Sequence, residues 1–390
     1  MKRKIVSVLS VLLFLFLLLP LVVQASPPPK EIMQEQIEKL EIDDIKQYWD
    51  EIVSKYGGFL PESQKGSFIE FISGEKELSL QEWSKAFVKF IFYELLANGK
   101  LLGTLVLLTV FSMFLQSLQN AFEQHAVSKV AYSVVYMVLI IIALNSFRLA
   151  MDYAVEAIQM MSGFIIALLP LLLALMASSG GLISAAFFHP IIVFLMNTTG
   201  MVVEHFTLPL LFLAALLSIV STMTEHYKVT QLAQLLTNIS IGSLGVMLTV
   251  FIGVISVKGA SSAVADGIAI RTAKFVTGNF IPVVGRMFTD ATDTVIAASL
   301  LLKNTIGIVG VAVLLILVAF PAMKILVIAF IYKLSAAILQ PLGGGPVISS
   351  LSIISKSVIY IFVSLAIVSL MFFLSLTVII AAGNLTMMVR

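Results

Sequence analysis

There is no cysteine anywhere in this 390-residue chain. That excludes disulfides, thiolate metal sites and cysteine nucleophiles. Charge is scarce as well: Asp, Glu, Lys and Arg make up 12% of the residues, where a soluble globular chain carries about 25%. A water-facing surface of ordinary size cannot be built from so few charges. With 59% hydrophobic residues and a mean hydropathy of +1.05, the bulk of the chain belongs in a lipid bilayer. There is no dense Lys/Arg stripe with interleaved aromatics, so no nucleic-acid partner is indicated.

Catalytic motifs are missing too. Neither an H-E-x-x-H zinc motif nor a G-x-S-x-G nucleophile elbow occurs. The four histidines are His125, His189, His205 and His226. Two of them follow a glutamate (Glu204-His205 and Glu225-His226), without the i,i+4 spacing of metal ligands, and these pairs read as interfacial polar anchors. The expectation is a non-enzyme with no catalytic residue, no cofactor and no metal.

What is present begins with a targeting segment. Lys2, Arg3 and Lys4 precede an apolar run from Ile5 to Leu19, Pro20 breaks the helix, and Val23 and Ala25 are small residues at −3 and −1 of a cleavage site. Residues 1–25 therefore read as a secretory signal peptide, with an uncleaved signal anchor as the alternative. Both place residue 26 onward outside the cytoplasm.

Residues 26–100 hold 14 of the 22 acidic and 9 of the 24 basic side chains. Apolar residues fall at helical spacing from Glu31 to Tyr56, then around Phe68 to Ile72, and again after the capping box Ser79-Leu80-Gln81-Glu82. A small acidic helical extracytoplasmic domain is expected. It is either a solvated spacer on the membrane or a module that docks a partner, with Trp49 and Trp83 as candidate docking residues.

Eight transmembrane helices are expected, at 101–119, 130–149, 160–178, 182–202, 206–223, 238–257, 304–330 and 357–381. The first six form a membrane domain over 101–257, and the last two lie in 304–390. The 47 residues of 157–203 carry no Asp, Glu, Lys or Arg and would reach roughly 70 Å as one helix, so a turn is expected at Ser178–Gly181. Predicted inner loops contain Lys129, Lys228, Lys333 and Lys356, whereas the outer loops contain Asp152, Glu156 and Glu204, as the positive-inside rule requires. The segment 258–303 breaks that rule. It falls outside on this count yet carries Lys258, Arg271, Lys274, Arg286 and Lys303. It is expected to be amphipathic or partly re-entrant. A faint repeat, pairing Pro170 with Pro282 and Pro209 with Pro321 at a 112-residue offset, would make 275–300 a counterpart of the hairpin at 160–200.

The stretch "AILQPLGGGPVISS" is a joint near 341–346 between the last two spans. A phosphate-binding loop needs Lys and Ser/Thr directly after its glycines. Here Gly345 is followed by Pro346-Val347. Pro341, Gly343, Gly344, Gly345 and Pro346 are candidates for a hinge or for lining a path, against a plain cytoplasmic turn. His189 and Asn197, polar within an apolar run, are path candidates against simple helix–helix hydrogen bonding.

The whole pattern resembles the stage III sporulation protein AE family: a signal, a short acidic outer domain with "QIEKLEIDDIKQYWDEI", many spans and the "LQPLGGGPV" joint. That resemblance implies a multi-pass protein of the mother-cell membrane of an endospore-forming bacterium. Its partners would be the bilayer and the other products of the same operon, among them a separate secretion-type ATPase and ring-forming proteins. With a forespore-membrane partner they would form a channel across the two membranes around the forespore that supports late forespore gene expression. The outer domain would face the intermembrane space, and the spans would form an export-apparatus or permease-like core, with a homo-oligomer as one form of assembly. The family offers no catalytic residue to carry over. The alternative is a self-sufficient secondary transporter of a small molecule.

Overall fold

The computed structural model describes residues 43–61, 80–121, 126–223, 228–280, 284–342 and 345–388. The signal segment, the helix around Phe68–Ile72 and Ser79 of the capping box lie outside the described residues.

Every regular element among the described residues is helical. Two outer helices, α1 (Asp43–Tyr56) and α2 (Leu80–Ala97), precede α3 (Gly99–Ala121) and α4 (Ala126–Ser178). Helix α5 (Leu182–Val202) passes through one π-helical turn, Val203–Thr207, into α6 (Leu208–Met223). Then come α7 (Thr230–Phe280), α8 (Val284–Leu339) and α9 (Pro346–Met388). Among the described residues, six helical runs are long and apolar enough to cross a membrane: Gly99–Leu118, Val130–Ser178, Leu182–Thr222, Thr230–Val257, Val295–Leu339 and Pro346–Ala381.

The expected number of spans was eight, and the difference has a physical cause. The spans expected at 130–149 and 160–178 are one helix, and those at 182–202 and 206–223 are one continuous run. Asp152 and Glu156 interrupt the hydropathy of the first pair, and Glu204 that of the second, but none of these residues interrupts a helix. A charged residue keeps its backbone N–H and its helical φ/ψ, so it does not by itself end a helix; even Pro170 and Pro321 lie inside α4 and α8. The 53 residues of α4 and the 56 of α8 make rods of about 80 Å, more than twice the bilayer core.

The turn expected at Ser178–Gly181 is where α4 does stop. Gly180 takes φ 95°, its N–H donates to the Ala177 carbonyl, and the Gly181 N–H donates to the Met176 carbonyl at 2.8 Å. This is a Schellman ending, which needs a residue free to adopt the left-handed region.

The segment 258–303 is not a separate element. Its first part continues α7 to Phe280 and its last part belongs to α8, and Asp266 and Lys303 within it are fully buried. Two long hairpins do follow one another, α4 with α5–α6 and then α7 with α8. The helices that end at Ser178 and Phe280 set a different spacing from the 112 residues of the faint repeat, and Pro282 lies outside the described residues.

Helices α4, α8 and α9 form the centre. Val358, Ile361, Leu365, Val368, Met371, Phe372, Leu376 and Ile379, one stripe of α9, are all fully buried. Close approach comes from small residues: a Cβ on Gly310 of α8 would lie 2.6 Å from Cδ2 of Leu168 on α4.

Candidate functional site

The joint closes one end of the bundle. After Leu339 a single 3₁₀ turn covers Gln340–Leu342, with Pro341 exposed. Gly343 and Gly344 lie outside the described residues. The Gly345 carbonyl accepts the N–H of Ser349 at 3.1 Å, and Pro346 opens α9, where its missing N–H costs nothing. Above this joint three hydroxyls meet. Tyr136 Oη lies 2.6 Å from Thr222 Oγ1 and 2.6 Å from Ser350 Oγ, and the last two are 2.9 Å apart. They tie α4, α6 and α9 together. One layer higher, Tyr332 donates to Ser146 Oγ at 2.8 Å and Ser146 donates to the Ile142 carbonyl.

Halfway up, the bundle carries a polar belt. Lys55 of α1 reaches Glu156 of α4 at 2.6 Å and its own neighbour Glu51 at 2.9 Å. Lys324 of α8 lies over the rings of Tyr153 and Tyr56, at 5.0 and 5.7 Å from their centroids. The Tyr56 ring stacks on Phe320 at 4.2 Å. Burial acts to lower the Lys55 pKa, but its hydrogen bonds to Glu156 and Glu51 outweigh this and hold it above the ordinary lysine value. Burial, helped by the Glu156 charge, pushes the Tyr56 hydroxyl up to about 12. Trp49 and Trp83 are buried in the same apolar cluster as the bundle core, and Trp83 packs on Phe87, which meets Phe320 edge-on.

Beside the belt the π turn opens a cavity of about 550 Å³ between α4 and α5, lined by Gln159, Ser162, Asn197, Gly200, Glu204 and His205 among others. Gln159 Nε2 donates to Glu204 Oε2 at 3.4 Å. A π turn adds a residue to the helical circuit and is frequent at functional sites. Of the two path candidates, Asn197 lines this cavity. His189 is exposed on α5, about 12 Å further along the helix, and does not line it. The cavity adds Glu204, His205 and Gln159, which the sequence reading did not place at a site. The available signal was the spacing of Asn197, Gly200 and Glu204, which lie three to four residues apart on one helical face. Among the described residues no group of three or more His, Asp or Glu is placed to hold a metal ion.

At the far tip, Asp266 of α7 accepts the N–H of Ile183 at 2.8 Å and of Ser184 at 3.0 Å. Nearby in level, the buried Lys303 of α8 donates to the Ile380 carbonyl of α9 at 2.9 Å. The arrangement offers a cavity with polar lining residues and two outer helices packed on the bundle.

These features define a multi-pass helical membrane protein. Its sequence matches the stage III sporulation protein AE family over residues 63–383, and the chain belongs to that family. It is 69% identical over 361 residues to the stage III sporulation protein AE of Bacillus subtilis (strain 168), covering 93% of this chain and 90% of that one. No solved structure matches it.

Proposed function

We propose that this chain is the membrane subunit of a multi-protein sporulation channel between mother cell and forespore, needed for late forespore gene expression. It acts without catalysis of its own, as a permease-like or export-apparatus-like core in the mother-cell membrane. Energy comes from a separate ATPase, and ring-forming proteins assemble on its outer face.

The observation that carries this reading is the family match over most of the chain, which fixes a role in sporulation. The geometry supports the finer part. Helices of about 80 Å exceed one bilayer core and reach well beyond it, and the outer helices α1 and α2 are packed against the bundle rather than tethered loosely. Both suit a subunit that meets partners in the space outside the membrane. The polar cavity at the π turn is the place on this chain where a path would pass.

A tagged copy purified in mild detergent from membranes of sporulating cells tests this. Stoichiometric recovery of an ATPase and ring-forming proteins is expected. Recovery of this chain alone, with coupled flux of a small molecule after reconstitution, would replace the reading with that of a self-sufficient transporter.

A further inference from the structure

At the joint end, the sequence leaves three exposed lysines, Lys228, Lys333 and Lys356, that the function above does not use. Two cavities share Lys356. One, of about 540 Å³, lies where α6 ends, α7 begins and α9 passes. Lys228, Lys356, Gln234, Asn238, Thr230 and Tyr360 line it, with Ser221 beside them. The other, of about 510 Å³, runs between α8 and α9. Lys333, Lys356 and Ser352 stand on its wall together with Leu326, Phe330 and Ile359.

The first cavity is a donor set. Two ammonium groups and two side-chain amides face it. Ser221 and Thr230 bond each other at 2.8 Å, which uses one hydroxyl proton and leaves the other to give. Thr230 opens α7, so the positive end of a 51-residue helix lies at the same place. No described residue lining either cavity is acidic. Two ammonium groups oppose a cation there with no carboxylate to offset them, while a phosphate would find charge-assisted donors.

The second cavity says what the phosphate is attached to. Leu326, Phe330 and Ile359 are 40%, 51% and 42% exposed. They lie three to seven residues along α8 and α9 from Lys333 and Lys356 of the same groove, on the side away from the joint. A polar head beside an apolar trough is the shape of one phospholipid. The lysine-rich end is also the cytoplasmic one by the positive-inside rule, where anionic headgroups attract basic residues.

We propose that the notch formed by Lys228, Lys356, Gln234 and Asn238 is a binding site for an anionic phosphate group, supplied by a phospholipid whose acyl chain lies in the groove between α8 and α9. The site fastens the start of α7 to α9 and so braces the joint against the membrane surface.

The test uses the full chain in detergent, titrated with phosphatidylglycerol, with zwitterionic phosphatidylcholine, and with inorganic phosphate alone. Bound adducts are read by native mass spectrometry and stabilisation by thermal melting. Phosphatidylglycerol should bind and raise the melting temperature. The double variant K228Q/K356Q should bind it at least about tenfold more weakly, while K228R/K356R retains binding. The melting temperature of the variants without lipid controls for folding. If inorganic phosphate alone binds with the same lysine dependence and displaces the lipid, the anion site stands and its natural ligand is a free phosphate. Equal binding of both lipids, or phosphatidylglycerol binding unchanged in the double glutamine variant, would overturn the proposal. So would a variant that is misfolded without lipid while K228R/K356R, folded, also fails to bind.

Discussion

The carboxylate of Asp266 on α7 accepts the backbone N–H of Ser184 at 3.0 Å, and its other oxygen takes that of Ile183 at 2.8 Å. The residue before α5 is Gly181, which has no side chain to cap the helix. The cap is therefore supplied from another helix more than 80 residues away in sequence. A fully buried carboxylate is stable only where such donors meet it, so the tip of the α4–α5 hairpin is locked onto the flank of α7 by one residue.

Replacing that residue should be costly. Asp266→Ala leaves two buried donors unpaired and should lower stability by about 1–2 kcal/mol. Asp266→Asn keeps one acceptor and should cost less. Thermal melting of the solubilised protein reads both, and unchanged melting for Asp266→Ala would remove the cap from the account.

The hydroxyl triangle should behave as a unit. Tyr136→Phe is expected to cost roughly 1–2 kcal/mol. Thr222→Val should cost clearly less in the Tyr136→Phe background than alone, because the two share partners. Strict additivity in a double-mutant cycle would show that the hydroxyls act independently.

Docking of α1 depends on Gly163 of α4. A Cβ there would collide with the Tyr48 hydroxyl. Gly163→Ala should loosen α1 at about 1–3 kcal/mol and speed limited proteolysis within residues 43–56. Adding Tyr48→Phe, which removes the colliding atom, should slow cleavage again. Rescue failing in the double variant would mean that another contact sets the docking.

The Lys55–Glu156 pair is half exposed and should contribute little: Lys55→Gln is expected to cost about 0.5 kcal/mol. Because the Lys55 pKa is raised, its contribution is fully present below the ordinary lysine value, about 10.4, and fades only above it. Docking of α1, followed by proteolysis, should not change as pH rises from 7 to 9.

The joint can be checked directly because the chain has no cysteine of its own. A Cβ at Gly345 would lie 3.2 Å from Oε1 at the far end of the Gln116 side chain, beyond the reach of a direct disulfide, so Gln116→Cys with Gly345→Cys should be cross-linked by a short bis-thiol reagent. Failure to cross-link would place α3 away from the start of α9.

Much of this architecture is legible in the sequence. The apolar runs, the turn at Ser178–Gly181 and the joint before Pro346 are local features. Each is set by hydropathy or by the φ demanded of glycine and proline. The continuity of α4 and of α5 with α6 was not legible, because Asp152, Glu156 and Glu204 look like loop residues to a hydropathy scan. They are compatible with a helix whose charged turn meets a polar belt. Trp49 and Trp83 show the same limit. Their helical spacing was visible, but that the faces carrying them on α1 and α2 turn onto the bundle was not. At the π turn, Asn197 stood out as a polar residue in an apolar run, while Glu204 and His205 passed for anchors at a span end.

Composition and local chemistry thus determined that this is an all-helical membrane chain without cysteine chemistry, and where several of its helices end. Only the tertiary structure decided that the charged segment 258–303 supplies a buried cap and a buried lysine, and which polar residues share a cavity. Those relationships join residues on different helices, at heights set by side-chain packing between rods. No pattern within one helix encodes how far its neighbour has slid along it.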